Sequence, residues 1–180
     1  RAMNEPPSAI IVRIGVPPGI AALRRSHDPS ARDGVPAHVT ILFPFLPARA
    51  LDRSVRRTLA RIGTSTEPFD VSFASVATWP ATVYLEPEPA EPFRTLTERI
   101  VDAFPAFPPY GGAHAEIVPH LTVADRVSDP LEPIVEAARR ALPFGGRAAA
   151  VDVLATDPDD ARWRLRWRIP LGGGSPPRPR

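Results

Sequence analysis

The sequence predicts an α+β fold with two pseudo-symmetric antiparallel β-sheets and flanking helices, arranged as two lobes around a central cleft. The main observation is that His, an apolar residue and Thr occur in this order twice, within the apolar runs Pro36–Phe43 and Pro119–Ala124. Each copy is followed by a helical pattern and by paired strand patterns, so the two halves share one plan. The chain has 180 residues, 43% of them hydrophobic, which is enough for one buried core.

Before the first His motif, β-branched residues predict a strand at Ala9–Val16, followed by a short helix at Ile20–Ser26. The composition of Asp28–Pro36 is typical of a loop. After the motif strand, apolar residues at i, i+4, i+8 and i+11 predict an amphipathic helix over Leu51–Ile62. Gly63 is interpreted as the end of that helix.

In the second half, alternation over Phe69–Val76 and a turn at Trp79-Pro80 predict a hairpin whose returning strand is Ala81–Glu86. The second His motif is placed on a strand over Ile117–Ala124. The remaining predictions are loops at 87–92 and 105–112, helices at 93–104 and 131–142, and a final strand pair at 148–155 and 163–171.

Composition limits the classes of protein. Residues 9–171 are predicted to form one domain, preceded by a tag remnant and flexible N-terminus (1–8) and followed by a disordered Gly/Pro/Arg tail (172–180). All 22 basic residues are Arg, the formal net charge is +2, and there is no Cys, which excludes disulfides and a thiol nucleophile. The longest early apolar run is too short for a membrane span and does not have the layout of a secretory signal. A cytoplasmic monomer without an obligate protein partner is therefore expected.

The two motifs place His and Thr on one face of each strand. Because side chains alternate along a strand, His38 and Thr40 point one way, as do His120 and Thr122. Two histidines at one cleft suit general acid–base catalysis near neutral pH, and phosphodiester cleavage or transfer needs both proton transfers. The Thr hydroxyls would donate hydrogen bonds to phosphate oxygens. A single His-x-Thr is usually structural, and two His with only Asp125 nearby make a poor zinc site.

These motifs resemble those of the two-histidine (2H) phosphoesterase superfamily. The runs Ala37–Phe45 and Val118–Ala124 are similar to its bacterial 2′-5′ RNA ligase-like, cyclic phosphodiesterase branch, and the likeness extends over Ile10–Leu171. The resemblance implies a bilobal fold and chemistry without metal or cofactor on 2′,3′-cyclic phosphates or 2′,5′-phosphodiesters of nucleotides or RNA ends. It also implies that His38 and His120 are the acid–base pair and that Thr40 and Thr122 bind phosphate.

Four further residues are candidate substrate contacts. Phe43 and Tyr84 could stack on a base, Tyr110 could belong to a lid, and Arg126 could bind phosphate, although many relatives carry Arg one position earlier, where this chain has Asp125. Trp79 and Phe45 are alternatives for stacking, and core packing is the competing interpretation for these aromatic residues. His27 and His114 are interpreted as solvent-exposed. Four alternating arginines in the last strand predict one basic face, either solvated or tracking phosphates: Arg162, Arg164, Arg166 and Arg168.

Three functions remain open at this point. The first is a metal-independent phosphoesterase that cleaves, or reversibly forms, 2′,3′-cyclic phosphate or 2′,5′-phosphodiester bonds. The second is an RNA-binding module without relevant turnover. The third is a related enzyme for a specialised small substrate such as a cyclic dinucleotide. The sequence decides neither between hydrolysis and ligation nor which histidine is the base.

Overall fold

Strands and helices alternate through most of the chain. The computed structural model describes residues 6–112, 117–157, 159 and 161–173. The strands are β1 (Ala9–Arg13), β2 (His38–Leu42), β3 (Phe69–Trp79), β4 (Thr82–Glu88), β5 (Leu121–Ala124), β6 (Phe144–Ala148), β7 (Ala150–Thr156) and β8 (Trp163–Pro170). The helices are α1 (Pro18–His27), α2 (Pro29–Arg32), α3 (Arg53–Thr64), α4 (Glu91–Ala103) and α5 (Glu132–Arg140), with short 3-10 turns at Ala48–Ala50 and Pro109–Gly112.

The strands form two antiparallel four-stranded sheets, which confirms the predicted fold class. Sheet 1 has the order β2-β1-β7-β8 and sheet 2 the order β5-β4-β3-β6. Helices α3 and α4 pack on sheet 1, and α1 and α5 pack on sheet 2. One apolar cluster continues through both sheets and includes Ile10 and Val39 of sheet 1 and Val83 and Leu121 of sheet 2.

The two halves of the chain exchange elements between the lobes. Apart from the short α2, each half begins with the order β-α-β-α-β, from β1 to β3 and from β4 to β6. Strand β3 of the first half pairs with β4 of the second half, and β7, which follows β6 in the second half, pairs with β1 of the first half. The first helix crosses as well, because α1 packs against β5 and α4 against β2. The lobes are therefore interleaved, and neither lobe is one continuous half of the sequence.

Sheet 1 has a core face and a cleft face. Ile10 and Val12 are fully buried in the main core. Ile11, the residue between them, belongs to a separate apolar cluster with Ala9 and Leu154. Because strand side chains alternate, odd-numbered residues of β1 face away from the helices, on the same side as the His motif of β2.

Several predictions of local structure are wrong or incomplete. The predicted loop at 28–36 contains α2, which starts because the Asp28 side chain accepts a hydrogen bond from the Ser30 backbone N–H at 2.9 Å. Strand β6 was not predicted, since its Phe-Gly-Gly sequence has a low strand propensity. The N-terminal segment is packed from Pro7 onward: Pro7 bridges to Pro47, and Ser8 is fully buried.

Gly63 does not end its helix. Helix α3 continues through Thr64, and a Cβ on Gly63 would lie 2.6 Å from the Pro170 carbonyl oxygen and 2.9 Å from Cγ2 of Ile169. The glycine is explained by the close approach of α3 to β8, because no larger side chain fits between them.

The predicted basic face of the last strand is interrupted by a β-bulge. Leu165 pairs with Leu154, but Trp167, only two residues later, pairs with the adjacent Val153. This irregularity changes which side chains share a face. Arg168 pairs with Asp152 on the cleft face, separate from the earlier arginines. None of the helices in the described residues is long and apolar enough to cross a membrane.

Candidate active site

The two His-x-Thr motifs lie side by side at the centre of the molecule. Strand β2 is an edge of sheet 1, β5 is an edge of sheet 2, and these two edges contact each other. His38 is the first residue of β2, and His120 immediately precedes β5. Strand β5 begins at Leu121, four residues after the start predicted from the sequence, Ile117. A cleft of about 1010 Å³ is lined by both histidines together with Thr40 and Thr122. The pairing of motifs expected from the sequence is thus present.

Both imidazole rings are fixed by the same backbone contact. Nδ1 of His38 lies 2.7 Å from the carbonyl oxygen of Pro36, and Nδ1 of His120 lies 2.8 Å from that of Val118. A carbonyl oxygen can only accept, so Nδ1 carries the proton in each ring. The neutral tautomer therefore leaves Nε2 as the lone-pair nitrogen, able to accept a proton in one ring and, when protonated, to donate one in the other.

The surroundings lower both histidine pKa values, but for partly different reasons. Burial is the main cause at His38 and lowers its pKa to about 4; the positive charge of Arg24 adds to this, while the carbonyl contact and Asp28 oppose it. Burial also lowers the pKa of His120, opposed by the Val118 carbonyl and the charge of Asp125. His38 is therefore neutral over the whole physiological range.

Thr40 is held by a tyrosine from the segment after α4. The Tyr110 hydroxyl and the Thr40 side chain are hydrogen-bonded, and burial raises the pKa of the Tyr110 phenol. Tyr110 has a φ of 51°, an uncommon value for a residue with a side chain, and its backbone N–H donates to the Phe43 carbonyl at 2.6 Å. Two contacts thus fix Tyr110 in the wall of the cleft, and its role as a lid residue or substrate contact stays a prediction.

A buried ion pair lies behind the two motifs. Arg24 and Asp28 are 5% and 2% exposed, and their side chains are 2.7 Å apart. Nε of Arg24 also donates to the Thr122 carbonyl at 3.1 Å, and Nη2 lies 3.5 Å from the carbonyl of Val35, which directly precedes Pro36. One guanidinium therefore ties β5 to the segment that holds the His38 ring.

Aromatic side chains form part of both walls. Near His120, Trp79 stacks on Tyr84 with ring centroids 4.0 Å apart, and its indole contacts the imidazole edge-on at 4.7 Å. Tyr84 is only 6% exposed and lies behind Trp79, so it is not among the residues lining the cleft. On the other wall, Phe43 contacts Trp163 edge-on at 6.2 Å, and both line the cleft.

The other candidate residues divide between the cleft, the core and the surface. Arg126 lines the cleft with its side chain 82% exposed, 3.6 Å from Asp125, which accepts a hydrogen bond from the Thr82 hydroxyl at 2.9 Å. Phe45 is in the core against Phe104 and Phe107. His27 is at the end of α1 and does not line the cleft, and His114 lies outside the described residues.

Sequence reasoning missed Arg24, Asp28 and Trp163. Arg24 and Asp28 are four positions apart, but the predicted helix ends at Ser26 and Asp28 was assigned to the loop after it, so their ion pair was not predicted. Trp163 reaches the cleft only because β8 joins sheet 1. Within residues 6–112, 117–157, 159 and 161–173, no three His, Asp or Glu side chains converge as a metal site would require.

The fold and the paired His-x-Thr motifs define one class of protein, and a comparison with known protein families identifies that class. A profile of the 2′-5′ RNA ligase superfamily matches residues 6–160. The chain belongs to this superfamily. A comparison with curated protein sequences finds no significant match.

Solved structures show the same fold at low sequence identity. The protein TT0787 of Thermus thermophilus superposes with a TM-score of 0.62 at 17% identity, covering 94% of this chain and 100% of that one. A protein described as a phosphoesterase gives 0.57 at 15%, covering 94% and 99%. LigT of E. coli, in complex with 3′-AMP, gives 0.57 at 16%, covering 91% and 98%. These likenesses concern the fold alone.

Proposed function

We propose that this protein is a phosphoesterase that opens 2′,3′-cyclic phosphates, or cleaves 2′,5′-phosphodiesters, at RNA ends or in small nucleotides. The observation that carries the proposal is the matched pair of imidazoles, each with Nδ1 bound to a backbone carbonyl and each next to a Thr of the same cleft. Superfamily membership supports this reaction class, and so does LigT, which was crystallised with a nucleotide carrying a 3′-phosphate.

His38 acts as the general base and His120 as the general acid. A pKa of about 4 keeps the His38 ring neutral and ready to accept a proton. Burial lowers the pKa of His120, but the Val118 carbonyl and the charge of Asp125 oppose this and favour the imidazolium form that an acid needs. This assignment applies to ring opening; in the reverse reaction the two roles exchange.

In ring opening, Nε2 of His38 takes a proton from water as the water oxygen forms a bond to phosphorus. The bond from phosphorus to the 3′ oxygen breaks, and that oxygen receives the proton of the His120 imidazolium. The product is a 2′-phosphate with a free 3′ hydroxyl, and proton exchange with solvent restores both rings. The hydroxyls of Thr40 and Thr122 donate hydrogen bonds to the non-bridging oxygens as charge shifts onto them.

The test is to incubate the protein with a short RNA ending in a 2′,3′-cyclic phosphate, with and without excess chelator, and to identify the product by phosphorus NMR. The expected product is a 2′-phosphate, formed in the presence of chelator and lost in His120→Ala. His27→Ala is the matched control, because that histidine does not line the cleft, and it should retain full activity.

Absence of any product from the RNA, from a nucleoside 2′,3′-cyclic phosphate and from a 2′,5′-linked dinucleotide would contradict the proposal. Tight, salt-sensitive RNA binding without turnover, unaffected by loss of either cleft histidine, would identify a binding module instead.

A further inference from the structure

We propose that Arg13, Asp152 and Arg168 form a subsite for a second phosphate of the substrate, beside His38 on the cleft face of sheet 1. The inference rests on the proposed phosphodiester chemistry at His38 and His120. These three residues are not among those lining the 1010 Å³ cleft, so they extend the site beyond it.

The strand register places the cluster next to the first His motif. Arg13 of β1 pairs directly with His38 of β2, and Ile11 pairs with Thr40 on one side and with Asp152 of β7 on the other. Directly paired side chains lie on the same face of a sheet, with Cβ atoms about 5 Å apart. Arg13 is therefore the immediate neighbour of His38 on the cleft face.

Arg168, the third residue of the cluster, lies on β8. Asp152 pairs with Arg168, which brings its guanidinium to the same side of the sheet. Strands are about 4.8 Å apart, so Arg13 lies one strand spacing and Asp152 two strand spacings, about 5 to 10 Å, from the edge strand β2 that carries His38. A neighbouring phosphate of the same nucleotide chain, one ribose away from the reacting phosphorus, falls within this range.

The buried carboxylate holds both guanidinium groups in place. Asp152 is 1% exposed and accepts two hydrogen bonds from Arg168, Nε to Oδ1 and Nη2 to Oδ2, each 2.8 Å long. Nη2 of Arg13 lies 3.3 Å from Oδ2 of the same carboxylate. The Asp152 carboxylate accordingly raises the pKa of Arg168.

The cluster keeps both positive charge and unused donors. Two arginines share one carboxylate, which leaves a net charge of +1. The side chains of Arg13 and Arg168 are 45% and 50% exposed, so part of each fork faces solvent. A guanidinium has five N–H donors, and its planar shape matches the oxygens of a phosphate. Two guanidinium groups held in place beside an acid–base site fit a phosphate better than they fit a neutral or cationic group.

The experiment measures affinity for products that differ by one phosphate, so it does not depend on turnover. The ligands are adenosine 2′-phosphate, adenosine 2′,5′-bisphosphate and the dinucleotide ApA with a terminal 2′-phosphate, titrated by calorimetry. The second supplies a 5′-phosphate, as in a small nucleotide, and the third an internucleotide phosphate, as at an RNA end. In the wild-type protein, at least one second phosphate should tighten binding about 10-fold.

Arg13→Gln is the informative variant, because Asp152 keeps both hydrogen bonds from Arg168, and the side-chain contact between β7 and β8 is retained. It should reduce the gain from the second phosphate to about 2-fold or less and weaken its dependence on salt. Arg61→Gln is the matched control: this arginine lies on α3, which packs on the opposite face of the same sheet, and its variant should keep the full gain.

Absence of a gain from either second phosphate in the wild type, or an unchanged gain in Arg13→Gln, would overturn the subsite. This failure is distinguishable from failure of the proposed function. An Arg13-dependent gain without turnover of any cyclic phosphate or of a 2′,5′-linked dinucleotide would retain the subsite and reject the reaction. Turnover of a substrate without the gain in affinity would reject the subsite and retain the reaction.

Discussion

The two cleft histidines have the same backbone contact and different surroundings. Each ring donates from Nδ1 to the carbonyl two residues earlier. His38 faces a polar network, with the charges of Arg24 and Asp28 acting on it and Arg13 as its cross-strand neighbour. His120 lies against the aromatic pair of Trp79 and Tyr84, with Asp125 close by.

The repeated motif and the two lobes determine different properties of the site: the motif sets the orientation of the rings, and the lobes set their pKa values. The repeated motif orients two equivalent rings, which gives two proton-transfer groups but no division of roles. The surroundings differ in burial and charge, and these set the two pKa values apart. We therefore infer that the asymmetry of the lobes, rather than the motif, decides which histidine is the base.

Replacing either histidine should produce the largest effect. His38→Ala and His120→Ala each remove one proton transfer, which typically contributes ~10²–10⁴-fold to the rate. Ring opening of a cyclic phosphate, followed by phosphorus NMR, should slow by this amount in both variants while circular dichroism stays that of the wild type. A variant that retains full activity would show that its ring is not required.

The buried ion pair behind the motifs should matter far more than an exposed pair of the same length. Arg24 and Asp28 are 2.7 Å apart and buried, whereas Arg147 and Asp70 are 2.7 Å apart with side chains 57% and 80% exposed. Arg24→Met leaves the buried Asp28 carboxylate without its ion-pair partner and should lower the free energy of unfolding by about 3–5 kcal/mol. Arg147→Met should cost only ~0–1 kcal/mol. Equal losses in urea titrations would show that burial is not the deciding factor.

The two threonines should contribute less than the histidines, and unequally. Thr122→Val removes one hydrogen bond to the phosphate, and kcat should fall on the order of 10–10³-fold. Thr40→Val should lose at least as much, because it also releases Tyr110 from its side-chain contact. A matching fall in Tyr110→Phe, measured as kcat rather than KM, would sharpen this difference between the lobes. A larger loss in Thr122→Val than in Thr40→Val would contradict it.

The pH dependence of kcat/KM should follow the two depressed pKa values. The base His38 must be neutral, so activity should fall as the pH decreases through about 4. The acid His120 must be protonated, and its pKa is lowered from 6.5, so activity should also fall as the pH rises through a value below 6.5. The free enzyme should thus have a bell-shaped profile with an acidic optimum. An optimum above about pH 7.5 would be inconsistent with these roles.

The sequence predicted the motif geometry well because that geometry is local. Strand alternation alone places His38 beside Thr40 and His120 beside Thr122, and the repeat suggested a shared cleft. The exchange of β3 and β7 between the lobes was not predictable, since strand pairing depends on tertiary contacts far apart in the chain.

The remaining errors have the same origin. Gly63 fits a helix end equally well by sequence, and only the approach of Pro170 shows why glycine is needed. The bulge opposite Val153 separates Arg168 from the other arginines and places it beside Asp152, although the sequence alternates regularly there. Burial of Arg24 likewise depends on how α1 crosses to sheet 2.

The most direct test of the division of roles uses a phosphodiester whose leaving group needs no acid. With a 4-nitrophenyl phosphodiester, His120→Ala should recover most of its activity relative to wild type, because 4-nitrophenolate departs without a proton. His38→Ala should remain as impaired as on a cyclic phosphate, since the attacking water still needs a base. Recovery in His38→Ala with continued loss in His120→Ala would reverse the assignment and contradict the account.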